Sequence, residues 1–224
     1  MQFLYHKEAK NSSIFLEKEE FLHLKVRRVK EGESLNLRNL QDDFLYTYRI
    51  GDLKRNSCVL SLISQEENLT FKSGVNLALG VIEPKIVEKI LPFFNEMGLE
   101  KLILVYCEFS QKNFKIDKKR LEKILINSCQ QCGRGDLMRI EIYENVDSFL
   151  AIYPKVVLVD FEGEKKEFDK DTLYFVGAEG GFSESERRRI KDKIALNSPF
   201  ILKSQSAALG VLSKILLNFI FLLC

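Results

Sequence analysis

The sequence predicts an α/β protein in which a small β-rich domain precedes a mostly parallel sheet. In the first part of the chain, short alternating strands surround one predicted helix, a pattern that favours a compact barrel. From residue 75 onward, apolar runs alternate with segments of helical period, as in parallel sheets with crossover helices. The polar stretch 64–73 separates the two patterns. We therefore predict a first domain over residues 1–70 and a second over residues 71–224.

The first domain contains one predicted helix between Glu17 and Lys30. Its apolar side consists of Phe21, Leu22, Leu24 and Val26. Residues 34–39 and 44–50 read as strands joined by the turn-forming Gln41–Asp43. Residues 59–63 supply a further strand.

The second domain contains five apolar runs that we predict as strands, at residues 75–82, 102–106, 156–160, 173–176 and 200–202. Helices are predicted over residues 85–97, from Asp117 to Gln131, from Ser183 through Ile194 and from Ala207 onward. Ser183 and Glu186 have the spacing of a capping box, which begins a helix. Ligand sites of such sheets lie beyond the carboxyl ends of the strands.

Composition excludes several classes of protein. The 34 basic and 32 acidic residues nearly balance, so net charge predicts no polyanionic partner. Five cysteines and a polar amino terminus favour a reducing cytoplasm. Cys129 and Cys132 lack the further ligands that a zinc site needs, so no metal is expected. Lys214 interrupts the apolar tail, which is too short for a membrane span.

The turn Val176–Ser183 joins an apolar strand to the capped helix and contains three glycines. Glycine permits positive φ angles and close approach of the backbone to a ligand. The turn lacks the GKS or GKT of a phosphate-binding loop and the GxGxxG of a dinucleotide fold. It suits a flat ligand, such as an adenine base, read by backbone groups. A tight strand-to-helix turn without any ligand is the alternative.

Two other segments combine small or charged residues with element ends. Residues 201–209 run from a short apolar stretch into the last helix, and Ser204 and Ser206 either cap that helix or bind a ligand. Arg134 follows a predicted helix end, where it either complements the helix dipole or contacts a ligand.

Five elements, in this order, resemble those of the ribosomal RNA small-subunit methyltransferase E family, the uridine-N3 methyltransferases of the SPOUT superfamily. They are His23–Arg28 with Gly32-Glu33, Glu88 with Glu96–Gly98, Gln131–Arg134, Gly177–Ser183 with Glu186, and Leu202–Ala207. The glycine-rich element is the most specific. The chain departs from the family pattern at several positions: Lys203, Gln205, Gln130, Phe93 and Phe109.

The resemblance implies a PUA-like β-barrel followed by a SPOUT-type α/β domain with a trefoil knot. It implies S-adenosylmethionine as the methyl donor and a homodimer as the working state. The donor would be held by Asp160, Gly177, Ala178, Glu179, Gly180, Gly181, Leu202, Ser204, Ser206 and Leu209. The substrate would be a uridine of small-subunit ribosomal RNA, free or in the assembled subunit.

Roles for charged residues follow from the chemistry of that reaction. Arg134 is our candidate for stabilising the anion that forms when the uracil imide loses its proton. An arginine cannot accept that proton, so the acceptor is either water or Glu179. His23, Arg27 and Arg28 are expected to contact RNA, the two arginines through phosphates.

Two other functions compete with this interpretation. One is a SPOUT methyltransferase that acts on a different RNA. The other is a non-catalytic RNA-binding or ribosome assembly protein, which the exchanged Lys203 and Gln205 would favour because arginine and lysine are not interchangeable at a binding loop. Bound S-adenosylmethionine and the identity of the methylated nucleoside distinguish the three.

Overall fold

The computed structural model describes residues 2–220, and it describes His23 and residues 217–220 by their backbone alone. The chain divides into two compact units. The first combines residues 1–70 with residues 126–137, and the second contains residues 71–125 and 138–224. Residues 126–137 lie within the second predicted domain but belong to the first unit, which the sequence pattern did not indicate.

The first unit is built on a five-stranded sheet. Its elements are β1 (Leu4–Tyr5), β2 (Ser13–Glu17), α1 (Lys18–Val26), β3 (Ser34–Arg38), β4 (Phe44–Gly51) and β5 (Ser57–Glu67). The strand order is β1-β3-β4-β5-β2, and only the β1–β3 pair is parallel. A bulge between Thr47 and Tyr48 interrupts the β4–β5 register. Bulges of this kind bend a strand and let the sheet curl around its core.

Two predictions for the first unit need correction. Phe21 and Leu24 are buried, but Leu22 and Val26 are 52% and 80% exposed. The helix therefore buries a narrower stripe than the sequence indicated, formed by Phe21 and Leu24, which are three residues apart and lie on the same side of the helix. Residues 64–67 belong to β5 and not to a linker, since they pair with the start of β4.

The second unit contains a six-stranded sheet and the remaining helices. Its elements are β6 (Asn76–Gly80), α2 (Pro84–Glu96), β7 (Lys101–Val105), α3 (Lys118–Cys132), β8 (Arg139–Tyr143), α4 (Val146–Ile152), β9 (Val157–Glu164), β10 (Tyr174–Val176), α5 (Glu184–Arg189), β11 (Lys193–Ile194) and α6 (Ser204–Ile220). All strand pairs are parallel, which confirms the predicted sheet type. The last turns of α3 lie in the first unit.

The strand order places a topological switch point inside the second sheet. The order is β11-β9-β10-β6-β7-β8, so β10 is inserted between β9 and β6. After β6, the strands β7 and β8 are added on one side, and β9, β10 and β11 are added on the other. The order of strand addition therefore reverses between β6 and β10. Val176 pairs with Leu79 and Val159, so β6 and β10 end side by side while β9 continues past them to Glu164. Open α/β sheets bind ligands at such a switch point.

Two predictions for the second unit are wrong. Residues 200–202 form no strand: Ser198 Oγ donates to the carbonyl of Phe200 at 2.8 Å and holds a turn there. The helix predicted from Ser183 through Ile194 ends at Arg189, because the buried Ile190 is extended (φ −110°, ψ 99°) and leads the chain into β11. The strand β8 and the helix α4 were not predicted from the sequence.

Candidate functional site

The turn after β10 folds back on itself. The Gly181 amide donates to the Ala178 carbonyl at 2.8 Å, and Gly181 has a φ of +71°. A Cβ atom on Gly177 would lie 2.9 Å from the carbonyl carbon of Gly181. Glycine is thus required for conformation at one position and for space at the other. The exposed Glu179 and Gly180 form the tip of this turn.

Phe182 anchors the turn in the core of the second unit. Its side chain is 2% exposed and meets Phe175 edge-on, with ring centroids 4.9 Å apart. Phe175 in turn packs edge-on against Phe149 of α4 at 5.1 Å. Aromatic pairs prefer this geometry. One end of the exposed turn is therefore held rigidly.

The predicted capping box is present and does more than begin α5. Ser183 Oγ accepts from the Glu186 amide at 3.2 Å, and Glu186 Oε2 accepts from the Ser183 amide at 2.8 Å. Glu186 Oε1 accepts from the Glu108 amide at 2.9 Å. The Glu186 side chain is buried, so it joins the glycine-rich turn to the loop after β7.

Asp160 lies at the same edge of the sheet as the turn. Its carboxylate is buried and accepts from Arg187 Nε at 2.8 Å. This hydrogen bond raises the pKa of Arg187 above its usual value, since it favours the charged guanidinium. A Cβ atom on Gly181 would lie 3.9 Å from the same guanidinium. Arg187 therefore lies between two predicted site residues, Asp160 and Gly181.

A cavity opens beside Asp160. It is lined by Val159, Asp160, Phe161, Leu196, Ser198, Phe200, Leu202 and Ala207. Its walls are mostly apolar with a few polar groups, which is the usual composition of a small-molecule site. Asp160 and Leu202, both predicted to bind the donor, share this cavity.

The remaining predicted donor residues lie on α6. Ser204 is the first residue of α6 and is buried, Leu209 is half-buried, and Ser206 is exposed. The Ala207 amide donates to the Lys203 carbonyl at 2.8 Å, which closes the first turn. Contacts of these three residues with a ligand stay a prediction.

The predicted catalytic arginine belongs to the segment that joins the first unit. Arg134 Nε donates to Asp136 Oδ1 at 2.8 Å, and its side chain is 8% exposed. A neighbouring carboxylate thus orients the guanidinium. Its predicted action on the uracil base, and that of Glu179, stay predictions.

The predicted RNA-binding arginines are exposed at the end of α1. Arg27 is the C-cap residue, and Arg28 has a φ of +54°. Lys25 Nζ donates to Asn56 Oδ1 at 3.1 Å, so the exposed Lys54 and Arg55, which directly precede Asn56, lie close to this helix end. The His23 side chain lies outside the described part of the structure. Several basic side chains therefore share this surface.

Sequence reasoning missed three features of the site. Arg187 belongs to a run of basic residues that resembles a solvated helix face, and no local signal marks its partner Asp160. Phe109 packs against Gly180, and Gly80 has no room for a Cβ atom, which would lie 2.5 Å from the Ala178 amide nitrogen.

Within residues 2–220, no helix is long and apolar enough to span a membrane. In the same part of the chain, no His, Cys, Asp or Glu side chains are grouped as ligands for a metal ion.

Two family models match the chain. The RNA methyltransferase domain matches residues 70–216, and the RNA methyltransferase PUA domain matches residues 16–63. This chain belongs to the RNA methyltransferase family. The predicted PUA-like unit and SPOUT-type α/β unit are thereby confirmed for this RNA methyltransferase, while the trefoil knot stays a prediction.

Relatives of this RNA methyltransferase agree with the family assignment. It is 43% identical to ribosomal RNA small subunit methyltransferase E of Helicobacter pylori, over 95% of this chain and 98% of that protein. It is 25% identical to the protein of the same name from Aquifex aeolicus, over 98% of this chain and all of that protein. The crystal structure of the Neisseria gonorrhoeae enzyme of that name, bound to S-adenosyl methionine, superposes with a TM-score of 0.76 at 19% identity, over 95% of each chain.

Proposed function

We propose that this protein transfers the methyl group of S-adenosylmethionine to N3 of a uridine in small-subunit ribosomal RNA. One observation carries the proposal: 43% identity, across both units, to a protein named ribosomal RNA small subunit methyltransferase E. The glycine-rich turn at the switch point of the sheet supports it, because that turn has the place and shape of a small-molecule site.

The residues at this edge fit S-adenosylmethionine. The small cavity beside Asp160 has the mostly apolar walls that contact with an adenine base needs, and the glycine turn leaves space that side chains would fill. When bound, S-adenosylmethionine supplies an electrophilic methyl group on a sulfonium. It would be held by Asp160, Gly177, Ala178, Glu179, Gly180, Gly181, Leu202, Ser204, Ser206 and Leu209.

The protein's own groups align the reactants and manage charge. Holding donor and base in line removes an entropic barrier of about 7–11 kcal/mol. Arg134 stabilises the negative charge that develops on the uracil imide, and Asp136 keeps the guanidinium in place. The imide proton goes to Glu179, which is exposed at the tip of the turn, or to water.

RNA binding belongs to the first unit in this proposal. The exposed Arg27 and Arg28, with His23, contact the substrate near the end of α1. Phosphate contacts of this kind fix position and contribute little to sequence choice. The second domain (residues 71–224) carries the chemistry, and the first (residues 1–70) holds the RNA.

We also propose a homodimer with a trefoil knot that works in the cytoplasm. Phe161, Phe200 and Ile201 are 74%, 80% and 84% exposed around the donor cavity. Exposed apolar groups in one patch are typical of protein interfaces. A second copy of the chain covering this patch would complete the cavity wall.

The test is methyl transfer to small ribosomal subunits, and to their free RNA, from a strain that lacks this protein. We expect 3-methyluridine at one position. A different methylated nucleoside, or methylation of transfer RNA alone, would favour a methyltransferase that acts on a different RNA. Absence of S-adenosylmethionine binding by calorimetry would favour a non-catalytic assembly protein.

A further inference from the structure

The loop after β7 presents an exposed aromatic side chain against the glycine-rich turn. Phe109 is 50% exposed. A Cβ atom on Gly180 would lie 2.9 Å from Phe109 Cβ, 3.1 Å from its Cγ and 3.2 Å from its Cδ2. The ring therefore packs on the backbone of Gly180, one residue from Glu179. Several other phenylalanines are exposed, but this one contacts the turn that we assign to the methyl donor.

Hydrogen bonds hold this loop in place. The Cys107 amide donates to Ser110 Oγ at 3.1 Å, and the Ser110 amide donates to the Cys107 carbonyl at 3.1 Å. The Glu108 amide donates to the buried Glu186, which also accepts from the Ser183 amide. Ser185 Oγ donates to Glu108 Oε2 at 3.1 Å. The hydrogen bonds of its neighbours in the loop thus fix the backbone position of Phe109, although the ring itself is half exposed.

An exposed, rigidly placed ring beside a methyl-donor site suits a flat partner. A uridine in folded RNA must leave its stack before its N3 atom can reach a donor. Proteins stabilise such unstacked bases on aromatic side chains. Uracil stacks weakly on its own, so an aromatic surface that fixes its plane also fixes the direction of N3. A leucine or alanine at this position would give no such surface.

We propose that Phe109 is a substrate-binding residue whose ring stacks on the target uracil and holds the base beside Gly177–Gly181. This inference rests on the proposed function, because it requires that a uridine be the substrate. It adds a contact with the base itself to the phosphate contacts that we assign to Arg27 and Arg28.

A double-mutant cycle between the ring and the base tests this inference. The first RNA is a synthetic fragment that contains the methylated uridine, and the second carries an abasic ribose at that position. The proteins are wild type, Phe109→Ala and Phe109→Tyr, with Phe93→Ala as the matched control, since Phe93 is 48% exposed on α2. Affinity for each RNA, affinity for S-adenosylmethionine and the single-turnover methylation rate are measured.

We expect Phe109→Ala to bind the uridine-containing RNA about 10-fold more weakly, the loss of one stacked base. The abasic RNA should bind this variant and wild type equally. Phe109→Tyr should retain the wild-type preference, and Phe93→Ala should match wild type throughout. Donor affinity should stay within about 2-fold in each variant, a change well under one stacking interaction.

Equal weakening of both RNAs by Phe109→Ala would overturn the inference, and so would a parallel loss of donor affinity, because the ring would then only support the turn. Those results leave an active wild-type enzyme and the proposed function intact. A wild-type protein that methylates no uridine would overturn the proposed function and this inference with it.

Discussion

At the scale of single residues, the candidate site depends on the absence of side chains at its glycines as much as on the charged side chains beside them. Gly177 and Gly180 leave room where a Cβ atom would meet backbone or a ring, and Gly181 has a φ of +71°. Asp160 and Arg187 form a partly buried ion pair beside that space. Breaking such a pair costs more than its net contribution, because it leaves a buried charge without a partner. Substitution of Asp160 or Arg187 should therefore lower the free energy of unfolding as well as change the site.

Gly180→Val should weaken S-adenosylmethionine binding while the protein stays folded. The new side chain would push against Phe109, and overpacking of about 1–3 kcal/mol corresponds to roughly 5- to 150-fold in affinity. Calorimetry of donor binding measures the loss, and circular dichroism checks the fold. Unchanged affinity in Gly180→Val would contradict the assignment of this turn.

Arg134→Ala should slow methyl transfer far more than it weakens donor binding. Loss of a donor that stabilises a developing anion typically costs about 10²- to 10³-fold in rate. Single-turnover methylation gives the rate, and calorimetry gives the donor affinity. Asp136→Asn is the companion variant, since it keeps Arg134 but weakens the pair that orients it. Equal single-turnover rates for wild type and Arg134→Ala would remove Arg134 from catalysis.

At the scale of secondary structure elements, local signals were reliable where the chemistry is local. The capping box of α5, the glycine after α2 and the apolar strands β6, β7 and β10 agree with the sequence. The error at residues 200–202 arose because an apolar run has strand character only if a neighbouring strand is free to pair. The short α5 has a similar reason: helix period continues in the sequence, but β11 requires an extended chain.

A partly buried ion pair between Lys101 of β7 and Glu141 of β8 joins the edge strand to its neighbour. Lys101 Nζ lies 2.7 Å from Glu141 Oε1. The hydroxyl of Tyr153, the residue that follows α4, donates to Glu141 Oε2 at 2.7 Å. Burial alone would raise the pKa of Glu141, but the hydrogen bonds from Lys101 and the two tyrosines Tyr153 and Tyr143, with the charge of Lys101, lower it below its usual value.

Glu141→Gln should lower the free energy of unfolding by about 1 kcal/mol at neutral pH. Because the pKa of Glu141 is lower in the folded state, its contribution is complete above its unfolded pKa of about 4.3 and is lost as pH falls through the folded value. The difference between wild type and variant should therefore be constant from about pH 6 to 8 and shrink below about pH 4.3.

Urea unfolding across that pH range measures this difference. Glu144→Gln, at an exposed carboxylate just after β8, is the matched control and should change the unfolding free energy little. A Glu141→Gln difference that stays constant into the acid range would show that the side chain contributes without its charge.

At the scale of the whole molecule, the chain combines a unit with a basic helix end and a unit with a small-molecule edge. The near-zero net charge hides this division, since acidic residues elsewhere balance the basic ones. Residues 126–137 show that the units are not simple consecutive halves. They contain Arg134, so the proposed catalytic arginine belongs to the unit that we expect to hold the RNA.

Arg27→Ala with Arg28→Ala should weaken RNA binding and flatten its dependence on salt. Removing two phosphate contacts should lower the slope of log K against log salt by roughly 1.4 to 1.8. Filter binding or fluorescence anisotropy at several salt concentrations measures the slope. Lys155→Ala with Lys165→Ala removes the same charge from the exposed surface of the second unit and is the control. A slope equal to wild type in the arginine variant would exclude this helix end as an RNA contact.

Local sequence patterns predicted most of the strands and helices, the class of sheet, the capped helix and the glycine-rich turn, because each depends on residues within a few positions of one another. The tertiary structure alone decided what surrounds that turn. Arg187 meets Asp160, Glu186 meets Glu108, and Phe109 meets Gly180 only after β10 has inserted between β9 and β6. These partners lie far apart in the chain, and no local pattern records which distant strand ends share an edge.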